Sequence, residues 1–242
     1  MRITLLRSLT LLSLLIAGVQ AAAQPAAARY ETRVDHDPDG IGKFYMGREI
    51  AHVMGPGGML WLERPERESE EQPALVIEAM NLKGGETVVD FGAGSGYYTF
   101  RLAEAVGPKG TVIAVDIEQK MLDFIRQRAA RENRTNVGLL RSTETDPRLP
   151  SNRVDWLIMV DVYHELSFPY EVMSRIRDAL KPGGRVALIE FRKEDPAVRI
   201  KEVHKMSEAQ AIKEMAAVGL EHEQTISTLP IQHLMVFRKT AR

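Results

Sequence analysis

The chain has 242 residues, 44% of them hydrophobic and 27% charged, a composition that supports a full core and excludes a low-complexity chain. Its 32 Lys and Arg are scattered among 33 Asp and Glu for a formal charge of -1, which argues against a protein that grips a nucleic-acid backbone. It has no cysteine, so disulfides, thiol nucleophiles and lipidated cysteines are excluded.

In chain order, Arg2 and Arg7 precede a mostly apolar run from Ser8 to Val19 and then "VQAAAQ". A short basic start, an apolar stretch and small residues make a secretory signal over residues 1–23, with cleavage after Ala21 or Ala23. The apolar run is about 12 residues, short of the roughly 20 a spanning helix needs, and a retained anchor is the competing reading. The expected location is therefore periplasmic or secreted. Residues 24–43 mix Ala, Pro, Asp and Gly without periodicity and are expected to form a tether.

Residues 44–72 are expected to form a helical cap. A helix through 44–54 would set Arg48 and His52 on one face at i, i+4, and "ERPERESEEQ" reads as a solvated helix start. Trp61 and Trp156 read as packing residues.

The domain proper spans 73–242. A helix begins at Pro73 and stops at Lys83-Gly84-Gly85. Then follow strand 86–91, helix 96–107, strand 111–116, helix 118–131, strands 136–141 and 154–160, helix 169–180 and strand 185–191. Ser207 to Gln210 form a capping box ahead of Ile212, Met215 and Ala216. The tail adds two strands joined at Leu229-Pro230. Apolar runs alternating with amphipathic helices predict an α/β fold: a Rossmann-like, doubly wound, seven-stranded and mostly parallel sheet with an antiparallel C-terminal hairpin strand.

The first strand runs into "VVDFGAGSGYYT", residues 88–99. A dinucleotide fingerprint would need glycine at 97, where Tyr97 stands, and no phosphate loop ending in Gly-Lys-Ser or Gly-Lys-Thr follows. The pattern Asp90-x-Gly92-x-Gly94-x-Gly96 is followed in order by "AVDIEQKML", "VDWLIMVDVYHEL" and "ALKPGGRVALIE". Together these segments resemble class I S-adenosylmethionine-dependent methyltransferases over roughly residues 75–238.

The resemblance implies S-adenosylmethionine as cofactor and a small molecule as methyl acceptor. It places the methionyl end of the cofactor over Gly92, Gly94 and Gly96, with Asp90 holding its ammonium group directly or through water. It places the ribose hydroxyls on Asp116, with Ile117 beside it, and adds Asp161 on the fourth strand to the cofactor site. After strand three, Thr143 stands where the family often has an acidic residue, leaving Glu144 or Asp146 for the adenine. The glycines could also form a tight turn with no ligand, and Asp116 could be a helix N-cap.

Methyl transfer needs a nucleophile aligned behind the methyl, and a base only when the acceptor carries a proton. "DVYHEL" brings His164 to the ligand end of the sheet as the base candidate, with Glu165 next to it to orient it. A histidine that merely caps the strand is the alternative. No metal is expected, because Phe168 stands where a zinc helix of the HExxH type requires its second histidine. An Asp-Pro-Pro-Tyr-like motif for amino acceptors is missing and so is any thiol, which leaves an oxygen or carbon acceptor by elimination. A cofactor-binding module without catalysis is the rival function, and a nicotinamide dehydrogenase comes third.

Overall fold

The computed structural model describes residues 29–240, so the expected signal segment lies outside the described residues. Its centre is a sheet built from β4 (Thr87–Phe91), β5 (Thr111–Asp116), β6 (Val137–Arg141), β7 (Val154–Val160), β8 (Leu180–Arg192), β10 (Leu220–Ile226) and β11 (Gln232–Lys239). Their order is β10-β11-β8-β7-β4-β5-β6, and a two-residue β9 (Lys205–Met206) pairs with β8 outside that path. β4 is parallel to β5 and β7, β5 to β6, and β7 to β8, whereas β11 runs antiparallel to both β8 and β10. The sheet expected from the alternating pattern is present.

Central strands of this kind are covered on both faces, so they read as continuous apolar runs. Val88, Val89, Leu157, Ile158 and Met159 are all fully buried. On one face α3 (Pro73–Met80) and α4 (Tyr97–Ala105) contribute Val76, Met80 and Leu102. On the other, α6 (Pro169–Ala179) and α7 (Glu208–Ala217) contribute Val172, Met173, Ile176 and Met215. α5 (Gln119–Arg131) turns Met121, Leu122 and Ile125 inward at the predicted helical spacing. Ser207 caps α7 by accepting from Gln210 N–H at 3.2 Å, but the Gln210 side chain goes to Met46 O and Glu214 rather than back to the cap. β8 starts before the predicted 185, because Leu180 already pairs with Val154 across an irregular register.

The cap departs from expectation. Residues 44–54 are not a helix: β1 (Tyr30–Thr32), β2 (Gly40–Tyr45) and β3 (Arg48–Ala51) form a separate antiparallel sheet in that order. Part of the expected tether is thus strand. The deciding residues are Met46 and Gly47, whose φ values of 51 and 97 make the two-residue turn that a right-twisted hairpin requires. Helix appears only afterwards, as α1 (Met59–Leu62) and α2 (Arg67–Glu71).

The hairpin is fastened to the domain by Arg48. Its Nε and Nη2 donate to the two oxygens of Glu214 at 2.8 and 2.9 Å, and its Nη1 donates to His164 O at 3.2 Å. Tyr163 Oη donates to the same Glu214 carboxylate at 2.7 Å. Arg48 and His52 therefore do not share a helix face: the first is inside an ion pair and the second lines a cavity.

Candidate active site

A cavity of about 710 Å³ opens at the carboxyl ends of β4, β5 and β7, roofed by the segment between β3 and α2. Ligands of open parallel sheets sit at this end.

Its floor is the turn after β4. Gly92, Gly94 and Gly96 have φ of 72, 54 and 80, a region that side chains rarely adopt. A Cβ at Gly92 would come within 2.5 Å of Val162, and one at Gly94 within 2.7 Å of Leu62 from α1. Those two glycines line the cavity. Gly96 faces inward instead, where a Cβ would meet Ile125 at 2.9 Å and Phe100 at 3.0 Å, so its smallness serves helix packing.

Asp116 closes the turn. Its Oδ2 accepts from Gly94 N–H at 2.9 Å and its Oδ1 from Glu118 N–H at 2.8 Å, while the residue faces the cavity. Burial raises its pKa against the pull of those amides. Ile117, Thr143 and Glu144 also line the cavity. Thr143 Oγ1 accepts from Asp146 N–H at 3.0 Å, closing a local turn that presents Glu144, and Asp146 is not among the lining residues. Ser142, which sequence reasoning passed over, lines it too.

Asp90 does not reach the cavity. It is buried beneath the turn, where its Oδ2 accepts from Thr99 Oγ at 2.6 Å, and burial pushes its carboxyl up to about 6. Asp161 does line the cavity and sits at φ 53. One of its oxygens accepts from Gln232 Nε2 at 2.6 Å, while Oδ1 is buried without a protein partner. Burial and the neighbouring Glu71 and Glu190 hold the Asp161 carboxyl well above its usual range.

The stretch read as solvated helix start supplies part of the roof. Arg67 and Glu71 are 5% and 2% exposed, joined at 2.7 Å, and Arg64 donates to Glu71 at 2.9 Å. The Arg67 guanidinium lies 4.2 Å from the Tyr97 ring. Residues with a polar pattern are buried here because each charge is matched. Trp61 lines the cavity half-exposed rather than packing in a core, whereas Trp156 is buried as expected.

His164 lines the same cavity, 1% exposed, on a single turn Tyr163–Glu165 after β7. The residue that orients it is Glu190 of β8, not Glu165: Nδ1 sits 2.5 Å from Glu190 Oε2, and Glu190 Oε1 accepts from Tyr163 N–H at 2.9 Å. A carboxylate accepts, so Nδ1 carries the hydrogen and Nε2 presents a lone pair. That Nε2 lies 3.0 Å from Nδ1 of His204, which ends the turn Glu202–His204. Glu165 Oε1 is 3.9 Å from each of those two nitrogens, while its Oε2 accepts from Met54 N–H at 3.2 Å. Burial pushes the Glu165 carboxyl up to about 7 and, with His164 nearby, the His204 imidazole down to about 4. No local sequence signal pointed to Glu190 or His204, which are distant in the chain.

Residues 82–231, more than half of the chain, match the family described as "Methyltransferase domain". The chain belongs to that family. Among curated proteins, the ubiquinone/menaquinone biosynthesis C-methyltransferase UbiE of Burkholderia mallei is 32% identical over 120 residues, 50% of this chain and 49% of that one. The chain spans about half the length of the curated relatives it matches. Among solved structures, a SAM dependent methyltransferase from Aquifex aeolicus superposes with a TM-score of 0.73 at 26% identity, covering 78% of this chain and 100% of that one. The cyclase SpnF, at 16% identity and a TM-score of 0.62 over 71% of this chain and 80% of its own, shares the fold alone.

Proposed function

We propose that the protein transfers a methyl group from S-adenosylmethionine to an oxygen or carbon nucleophile of a small molecule. One observation supports this most: Gly92, Gly94, Asp116, Ile117, Thr143, Glu144 and Asp161 line one cavity together with His164. The residues fit the cofactor. Each Asp116 oxygen has accepted one backbone hydrogen bond and retains a lone pair for ribose hydroxyls. An ammonium group beside the unpartnered Oδ1 of Asp161 would counter the burial and the neighbouring Glu71 and Glu190 that raise its pKa, and give that oxygen a partner.

When bound, S-adenosylmethionine supplies an electrophilic methyl on its sulfonium. The chain's part is positioning and exclusion of water. The roof of α1 and α2 closes the glycine wall, and alignment of two reactants accounts for about 7 to 11 kcal/mol of a barrier. His164, fixed by Glu190, serves the acceptor. Its Nδ1 is held by Glu190, and its Nε2, 3.0 Å from His204, is the nitrogen that would take a proton from the acceptor. The UbiE relative is named for C-methylation, which supports a carbon acceptor alongside an oxygen one.

Calorimetric titration tests this reading. S-adenosylmethionine and S-adenosylhomocysteine should bind and NAD should not. Asp116→Ala should weaken both sulfur ligands by about 1.5 to 3 kcal/mol, or roughly 10- to 150-fold. With an acceptor found among phenols, carboxylates and quinone-like compounds, His164→Ala should keep cofactor affinity within a few-fold and lower turnover by about 10²- to 10⁴-fold. NAD binding with no response to either sulfur ligand would overturn the proposal.

A further inference from the structure

We propose that His164, Glu165 and His204 form a binding site for one divalent transition-metal ion of the zinc class. The two histidines and the carboxylate come from two separate turns, one after β7 and one before β9, so no HExxH spacing announces them. Their ligand atoms form a triangle with sides of 3.0, 3.9 and 3.9 Å, between His164 Nε2, His204 Nδ1 and Glu165 Oε1. The point equidistant from all three lies about 2.1 Å from each, the length of a zinc bond to imidazole nitrogen or carboxylate oxygen.

The surroundings are those of a metal ligand set. An imidazole that binds metal through one nitrogen donates its other N–H to a carboxylate, which fixes tautomer and ring orientation. Glu190, itself fully buried, does this for His164 and is pinned in turn by Tyr163 N–H. Met54 N–H holds Oε2 of Glu165 and leaves Oε1 turned to the histidines. Buried His164 and half-buried His204 meet at 3.0 Å, and Glu165 Oε1 stands 3.9 Å from both without bonding either. Two nitrogens and one oxygen suit zinc and its first-row neighbours rather than magnesium or calcium, which favour oxygen ligands.

All three residues line the same cavity as Asp116 and Gly94. With three protein ligands the ion keeps an open position towards that space, where an acceptor oxygen could be held and polarised. That use rests on the methyl-transfer reading, but the binding itself does not.

The test uses tag-free, chelator-stripped protein titrated with Zn²⁺ alone. One ion per chain should bind. His204→Ala and Glu165→Gln should each weaken it by at least about 10-fold, and Glu190→Gln, which removes only the orienting charge, by about 10- to 100-fold. Co²⁺ should give the visible bands of a low-coordinate nitrogen and oxygen site, and His204→Ala should abolish them. Circular dichroism on each variant separates lost ligation from lost fold, and His204, at a half-buried turn, is the variant expected to remain folded. Absence of zinc binding, or binding unchanged in His204→Ala and Glu165→Gln, would overturn the site. S-adenosylmethionine titrated into the same protein keeps the two claims apart. Zinc bound without cofactor sinks the methyl-transfer reading alone, and cofactor bound without zinc sinks the metal site alone.

Discussion

Asp90 and Asp116 stand at the ends of neighbouring strands in sequence patterns that look alike, yet only Asp116 faces the cavity. Asp90 is covered and held by Thr99, and that burial has a pH signature. Its folded pKa of about 6 exceeds the unfolded value of 3.8, so the carboxyl favours folding below 3.8 and loses that contribution as pH rises through about 6. Asp90→Asn stays neutral and keeps an oxygen for Thr99. Urea unfolding at pH 4 and pH 7 should show the variant gaining on wild type by roughly 2 kcal/mol across that interval. A constant difference would mean that Asp90 ionises as freely in the fold as outside it. Both readings of Asp116 from sequence hold a part of the structure, since one oxygen supports Glu118 at the helix start while the residue also lines the site.

The β2–β3 hairpin shows where element-scale reading from sequence reaches its limit. Arg48 and His52 looked like one face of a helix, and the alternative, a charge paired with a residue 166 positions away, leaves no local trace. The Arg48 and Glu214 side chains are 8% and 0% exposed, so deletion of one leaves the other charged and buried. Arg48→Ala should therefore cost about 3 to 5 kcal/mol in denaturant unfolding, far above a surface ion pair. Arg48→Ala combined with Glu214→Gln should recover part of that loss, and simple additivity would show that the pair does not dock the hairpin. Elements inside the main sheet were legible for the opposite reason. β5 and β7 begin and end at the predicted residues, because strands buried on both faces and helices with one apolar stripe carry their partners' positions as local periodicity.

At the scale of the molecule, we propose that the protein is exported, on the basic start, apolar run and small residues of positions 1–23. Cell fractionation should find it outside the cytoplasm with a mature N-terminus at Ala22 or Gln24. A cytoplasmic protein that retains Met1 would defeat the proposal. Among the described residues, no helix is long and apolar enough to cross a membrane. The remaining architecture divides by the range of the forces that make it. The α/β alternation, the glycine turn and the acidic end of the second strand are set by backbone sterics and by burial periodicity over a few residues, so the sequence by itself determined the fold class, the family resemblance and one wall of the cavity. The roof of Arg67 and Glu71, the Arg48–Glu214 fastening and the Glu190–His164–His204 chain were decided only by the tertiary structure. A charged or imidazole side chain is stable in the interior only beside a complement, and chain crossings that no short window contains bring the complement there.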